Sequence, residues 1–215
     1  VYAGSAIGVV FAGDLISLFI FWEIMAVAST VVVLSAGGKR SYQISMRYFF
    51  VHVFGGTLLL IGILSHIVET GSTAFTAMEP NTFGTIFILM GFLINAAAPP
   101  LSAWLSDAYP EASFSGAVFL SAFTTKAAVY VLLRGFPGTE VLIFIGVFMI
   151  FYGIIYALLE NDMRRILAYS IVNQVGFMVT GVGIGTEMAL NGVAAHAFTH
   201  IIYKGLLLMS AGSVL

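Results

Sequence analysis

Leu15–Ala36 reads LISLFIFWEIMAVASTVVVLSA, an aliphatic and aromatic run with one ionisable side chain, Glu23, near its middle. As a helix it spans the ~30 Å hydrocarbon core of a bilayer, which takes about 20 residues. Lipid offers no hydrogen bonds to the backbone, so only helices and closed barrels cross it. Barrel strands alternate apolar and polar residues over ~10 positions. This run does not alternate, so it is read as a membrane helix.

Similar runs lie on either side. A partial span covers Val1–Gly13, and full spans are expected near Ser45–Val68, Phe83–Ser106, Ser115–Leu133, Val141–Leu159, Ile166–Gly185 and Met188–Val214. With Leu15–Ala36 that makes about seven full spans. Polar or glycine-rich breaks separate them: Gly37–Arg40, Glu69–Asn81, Asp107–Ser113, Gly135–Glu140 and Glu160–Arg165. No hydrophilic domain intervenes, so the expected architecture is all-α: one polytopic membrane helix bundle over residues 1–215, with at least one proline-interrupted transmembrane helix.

The composition agrees. Of 215 residues, 60% are hydrophobic and 8% charged, against about 25% charged in soluble domains. That is too little polar surface for a soluble enzyme. The net charge of -2 argues against a nucleic-acid partner. The chain has no cysteine, which excludes disulfides, iron–sulfur clusters and thiol catalysis. It starts at Val1 without a methionine and stops at Leu215 inside an apolar run, so it is expected to be a fragment of a longer subunit. Lys39, Arg40 and Arg47 flank one loop, and Arg164 and Arg165 flank another, four spans later. An even number of crossings puts both on one side, and the excess of Lys and Arg makes that side cytoplasmic.

Ionisable groups in mid-membrane cost at least ~2.5 kcal/mol on insertion scales, so each needs an explanation. Glu23 and Lys126 each sit mid-span, and each is either half of an ion pair locking two helices or a group that gains and loses a proton. His196, His200 and Lys204 recur every four residues and share one helix face, a ladder of about 12 Å. Three titratable groups on one stripe favour a proton relay over isolated structural hydrogen bonds. The pair His196 and His200 lacks the further ligands of a zinc site. His52 and His66 lie on one helix without a matching pair for a bis-histidine haem. No metal or cofactor is expected.

Asn95-Ala-Ala-Ala-Pro-Pro-Leu-Ser-Ala-Trp-Leu105 is the other unusual stretch. Pro99 and Pro100 remove two backbone donors inside an expected span, marking either a broken helix at an ion site or a kink near the interface. Trp104 and Tyr109 are expected at headgroup level as interfacial anchors. Gly181–Gly185 reads as helix packing or a flexible end, because no strand precedes it.

Six ordered motifs resemble the antiporter-like subunits shared by respiratory complex I and Mrp-type cation/proton antiporters, the antiporter's D-type subunits above all. They are Trp22-Glu23, Pro-Leu-x-x-Trp-Leu at Pro100–Leu105 and Asp-Ala-Tyr-Pro-Glu-Ala at Asp107–Ala112. Thr-Lys-x-x-x-Tyr at Thr125–Tyr130, Asn-Asp-x-x-Arg-x-Leu-Ala-Tyr-Ser at Asn161–Ser170 and His-Ala-Phe-x-x-x-x-x-Lys at His196–Lys204 complete the set. The resemblance implies a chain covering roughly the fourth to the eleventh helix of a larger bundle. It implies proton translocation by Glu23, Lys126, His196, His200 and Lys204 in a multisubunit antiporter of the plasma membrane, with Na⁺ or K⁺ as counter-ion and other membrane subunits as partners. The alternatives are a pump module of complex I or a membrane hydrogenase, and a non-conducting structural subunit. One departure stands out: many members carry a lysine where this chain has Asn95, and an amide cannot titrate.

Overall fold

The computed structural model describes residues 1–214. Nine helices follow one another among the described residues. They are α1 (Tyr2–Phe11), α2 (Leu15–Leu34), α3 (Gly38–Thr70), α4 (Phe83–Asn95), α5 (Ala103–Glu111), α6 (Phe114–Gly135), α7 (Val141–Leu159), α8 (Met163–Ile184) and α9 (Glu187–Val214). Six of them, α2, α3, α6, α7, α8 and α9, are long and apolar enough to cross a membrane. The expected span Phe83–Ser106 divides instead. α4 stops after 13 residues, and α5 starts at Ala103. Between them Ala97 has φ +60° and the Pro99–Pro100 peptide is cis. The physical cause is local: Pro99 and Pro100 donate no backbone hydrogen bond, and a residue before proline is pushed out of the helical region.

Several helix starts use side-chain caps. Asp14 Oδ1 accepts from Ser17 N (2.8 Å) and Ile16 N (3.0 Å) at the start of α2. Those donors hold the Asp14 carboxyl below the usual carboxylate range. Asp162 caps α8 in the same way, and Thr82 and Thr85 form a reciprocal capping box on α4. α3 begins earlier than the expected Ser45. The left-handed Gly37 (φ +81°) turns the chain tightly, so Lys39 and Arg40 fall inside the helix.

The helices share a buried apolar cluster and approach one another closely at glycines, where small residues let the backbones pack in lipid. Gly146 and Gly153 of α7 face α8, whose Gly176 and Gly183 face back. A Cβ at Gly183 would lie 2.7 Å from Ile143 N, so this glycine of the 181–185 run is a packing contact. Gly185, its last glycine, is the left-handed C-cap of α8. The outward faces are apolar, as at Phe144, Phe151 and Leu158.

One end of the bundle gathers the charges. Arg47 Nη1 is 2.7 Å from Asp107 Oδ2, and Arg165 Nη2 is 3.5 Å from Asp107 Oδ1; Arg165 also meets Glu160, and Arg40 meets Glu111. The two basic loops therefore share an end, joined through the acidic side chains of α5. Arg164 Nη2 donates to the carbonyls of Ala112 (2.6 Å) and Tyr109 (3.3 Å). At the other end Arg134 donates to the carbonyls of Ala12 and Phe75, tying α6 to two loops. Trp104 and Tyr109 do not lie at the interface as expected. Both are buried in protein, where Trp104 Nε1 donates to Ile94 O and Tyr109 OH to Leu120 O. α5 turns inward, and each polar tip reaches a backbone carbonyl, that of Ile94 in the last turn of α4 and that of Leu120 within α6.

Candidate functional site: a membrane-buried polar axis

The structure brings four of the sequence-predicted residues together. His196, His200 and Lys204 lie along one stripe of α9, which packs against both α6 and α8. The rings of His196 and His200 are 6.1 Å apart, centroid to centroid. His200 and Lys204 are buried, and so is Lys126 on α6. Lys126 stands close enough to Lys204, His200 and His196 for charge repulsion to act between them. Among the described residues none of the four lies within 4.0 Å of a carboxylate. A buried cation without a counter-charge is held by weaker partners. Lys126 Nζ donates to Thr125 Oγ1 (3.2 Å), and Lys204 Nζ donates to Ser170 Oγ of α8.

The ladder continues into α8 through residues that carry no charge and so escape a search for charges. His196 Nε2 pairs with Gln174 Oε1 (2.9 Å), and Tyr203 OH donates to the same oxygen (3.3 Å). Gln174 Nε2 donates to Asn173 Oδ1 (3.0 Å), and Asn173 Nδ2 to Ile150 O (2.9 Å) on α7. Ser170 and Gln174 are four residues apart, so the polar stripe of α8 faces that of α9. That spacing is visible in the sequence, but amides and hydroxyls carry no insertion penalty large enough to single them out. His200 has no partner on either ring nitrogen.

Glu23 occupies a second location, at the α2–α3 contact. Its carboxylate lies against Gly56 of α3, where a Cβ would collide with it, and its Oε1 has no partner. No ion pair joins Glu23 to Lys126, because no cation among the described residues approaches Glu23 within 4.0 Å. Glu23 lines a cavity of about 680 Å³ together with Tyr2, Ile24 and Val27. Tyr2 leaves that cavity for α6, where its hydroxyl meets Thr124 Oγ1 at 2.5 Å, two residues before Lys126. Lys126 itself borders a separate cavity of about 230 Å³, between α1 and α6. Asn95, at the end of α4, is fully buried with both amide atoms unpartnered.

Buried polar atoms in proteins nearly always find a partner, from protein or from ordered water. Glu23, Asn95, His52, Ser102, Ser121 and His200 each keep at least one buried atom without a protein partner. Their arrangement suits hydration.

Comparison with known proteins speaks to the family and the fold. Residues 12–215 match the family described as NADH:quinone oxidoreductase/Mrp antiporter, TM. The chain is 31% identical to the D-type subunit of the Na(+)/H(+) antiporter of Alkalihalophilus pseudofirmus, covering 96% of this chain and 46% of that protein. It is also 31% identical to the N-type subunit of the NADH-quinone oxidoreductase of Desulforudis audaxviator, over 97% of this chain and 46% of the relative. The solved Mrp complex from Dietzia sp. DQ12-45-1b superposes with a TM-score of 0.90 at 29% identity, covering 99% of this chain and 25% of the matched one. The chain thus spans about half the length of the curated relatives it matches. With this sequence match and this fold, the chain belongs to the NADH:quinone oxidoreductase/Mrp antiporter transmembrane family.

Proposed function

We propose that this chain moves protons as part of a subunit of a multisubunit monovalent cation/proton antiporter. One observation carries the reading: Lys126, His200 and Lys204 are buried in one cluster with no carboxylate beside them. A fixed structural ion pair needs its counter-charge, and removing one leaves a cost of about 3–5 kcal/mol. Cations buried without one are groups whose protons come and go.

In this reading Glu23 takes up a proton at the α2 cavity, and Tyr2 and Thr124 lead from it toward Lys126. From there the path runs along Lys204, His200 and His196. Asn95, Pro99 and Pro100 interrupt the helix after α4, which frees backbone groups and admits water. The partners are other membrane subunits of the same complex, with Na⁺ or K⁺ exchanged for protons. The end bearing Lys39, Arg40, Arg164 and Arg165 faces the cytoplasm, and the membrane is the plasma membrane. The chain supplies translocation and no bond-making chemistry of its own.

The equal identity to one component of an NADH-quinone oxidoreductase favours a second reading, in which the same path is driven by electron transfer. Neighbouring genes decide between the two: antiporter subunits on one side, quinone-reductase or hydrogenase subunits on the other. The decisive test of translocation is Glu23→Ala in the intact complex, followed by pH-gradient-driven antiport in membrane vesicles. Antiport should be lost. Normal antiport in that variant sinks the role of Glu23, and a stability loss without a transport change per assembled complex points to a structural subunit instead.

A further inference from the structure

We infer that His52 of α3 is a proton-carrying residue of this chain, standing between Glu23 and the interruption after α4; this rests on the proton-translocating reading above. His52 is almost completely buried. Its Nδ1 lies 2.9 Å from Tyr48 O, one turn earlier on the same helix. A carbonyl only accepts, so in the neutral ring Nδ1 carries the hydrogen and Nε2 keeps its lone pair. That Nε2 is buried and has no protein partner.

The helix register places the lone pair. α2 and α3 are antiparallel neighbours: Tyr48 OH donates to Ser29 Oγ (2.9 Å), and Gly56 meets the Glu23 carboxylate. His52 falls midway between Tyr48 and Gly56, one turn from the level of Glu23 on the same face of α3. From the other side Trp104 closes on the His52 ring at 4.6 Å, while its Nε1 donates to Ile94 O, one residue before Asn95. Glu23, Asn95 and Ser102, two residues before Trp104, each keep a buried atom unpartnered. Such a group of orphaned atoms calls for ordered water.

The step needs no heavy-atom bond change. A proton arrives at His52 Nε2 from a water on the side of Asn95 and Ser102, giving an imidazolium. Loss of that proton from Nε2 through a second water to the Glu23 carboxylate gives a neutral carboxyl, returns the ring to its starting tautomer, and leaves the proton where the path toward Tyr2, Thr124 and Lys126 begins. Asn95 cannot take a proton, so an imidazole one helix away supplies the titratable group beside the interruption.

The test uses the assembled complex. His52→Phe keeps an aromatic ring between Tyr48, which stacks on it, and Trp104, which meets it edge-on, and His52→Gln keeps a polar side chain that cannot titrate. Both should lower antiport per assembled complex at least tenfold, by order of magnitude. Antiport within twofold of the parent in either variant overturns the inference. A measurement on the unaltered complex stands beside them, in case neither variant assembles: site-resolved exchange of the histidine C2 hydrogen in heavy water. His52 should exchange within days, because water reaches its ring, and a His52 that stays unexchanged overturns the inference. Glu23→Ala is run in parallel. If it transports normally, the reading of the whole path fails; if it is inactive while His52→Phe is active, only the His52 step fails.

Discussion

Replacing Gly153 with alanine tests whether the α7–α8 seam holds the polar chain behind His196. A methyl built on Gly153 lies 2.5 Å from the Asn173 backbone nitrogen and 2.8 Å from its Cα and Cβ. Ordinary contact starts at 3.4 Å, so α8 must retreat by 3.4 less 2.5, or 0.9 Å, at this level. None of these atoms is the loose end of a flexible side chain, so the helices themselves must shift. Overpacking of this kind costs about 1–3 kcal/mol. Alanine also gains roughly 0.5–1 kcal/mol over glycine in any helix interior. Gly192→Ala isolates that gain, because nothing lies within 4 Å of a Cβ at Gly192 of α9. The two variants of the full-length subunit are compared by reversible unfolding in mixed detergent–SDS micelles. The propensity gain cancels, leaving Gly153→Ala less stable than Gly192→Ala by about 1–3 kcal/mol. Antiport should fall too, because Asn173 positions Gln174 and thereby His196. A difference below about 0.5 kcal/mol, the range of surface substitutions, refutes the close seam.

Three further outcomes follow from particular contacts. Asp14→Ala should cost about 1 kcal/mol at neutral pH through the lost α2 cap. The folded Asp14 carboxyl titrates below its unfolded value of about 3.9, so its contribution is full above that value and fades as pH falls through the folded one. The gap between Asp14→Ala and the parent should therefore narrow from pH 7 toward pH 3, and a gap that widens contradicts the cap. Arg164→Ala should cost about 1.5–3 kcal/mol in the same unfolding assay, since it strips a charged donor from two carbonyls at the α5 end. Arg40→Ala, whose pair with Glu111 is solvent-exposed, should cost under about 1 kcal/mol, and equal losses in the two argue against this reasoning. Gln174→Leu leaves His196 Nε2 and Tyr203 OH without their shared acceptor. It should cost about 1–3 kcal/mol and depress antiport, and unaltered antiport removes Gln174 from the site.

Single residues against their neighbours are enough to read Glu23, Lys126 and Lys204 as the charges left in the middle of spans. A charge in an apolar run stands out because its insertion cost is local and large. The α4–α5 interruption is readable for the same reason, since Pro99 and Pro100 act on their own backbone. Long-range partners are a different matter. Nothing local to Gln174, Asn173, Ser170 or Tyr2 distinguishes a polar group facing a histidine from one facing another helix. Trp104 and Tyr109 look like interfacial anchors in the sequence for this reason: an amphipathic ring near a helix end fits the headgroups and a buried carbonyl equally well.

The sequence by itself determined that the chain is a bundle of membrane helices, where most of them run, and which few ionisable residues fall within spans at a cost. Hydrophobic length and insertion energy are properties of a segment, and the segment carries them unaided. Only the tertiary structure decided that Lys126 joins the α9 ladder while Glu23 stands apart beside α3, and that His52 keeps a buried ring nitrogen without a partner next to Trp104. Those facts depend on which helix faces which and in what register, and in a membrane that is set by small-residue contacts such as Gly56 against Glu23 and Gly153 against Asn173.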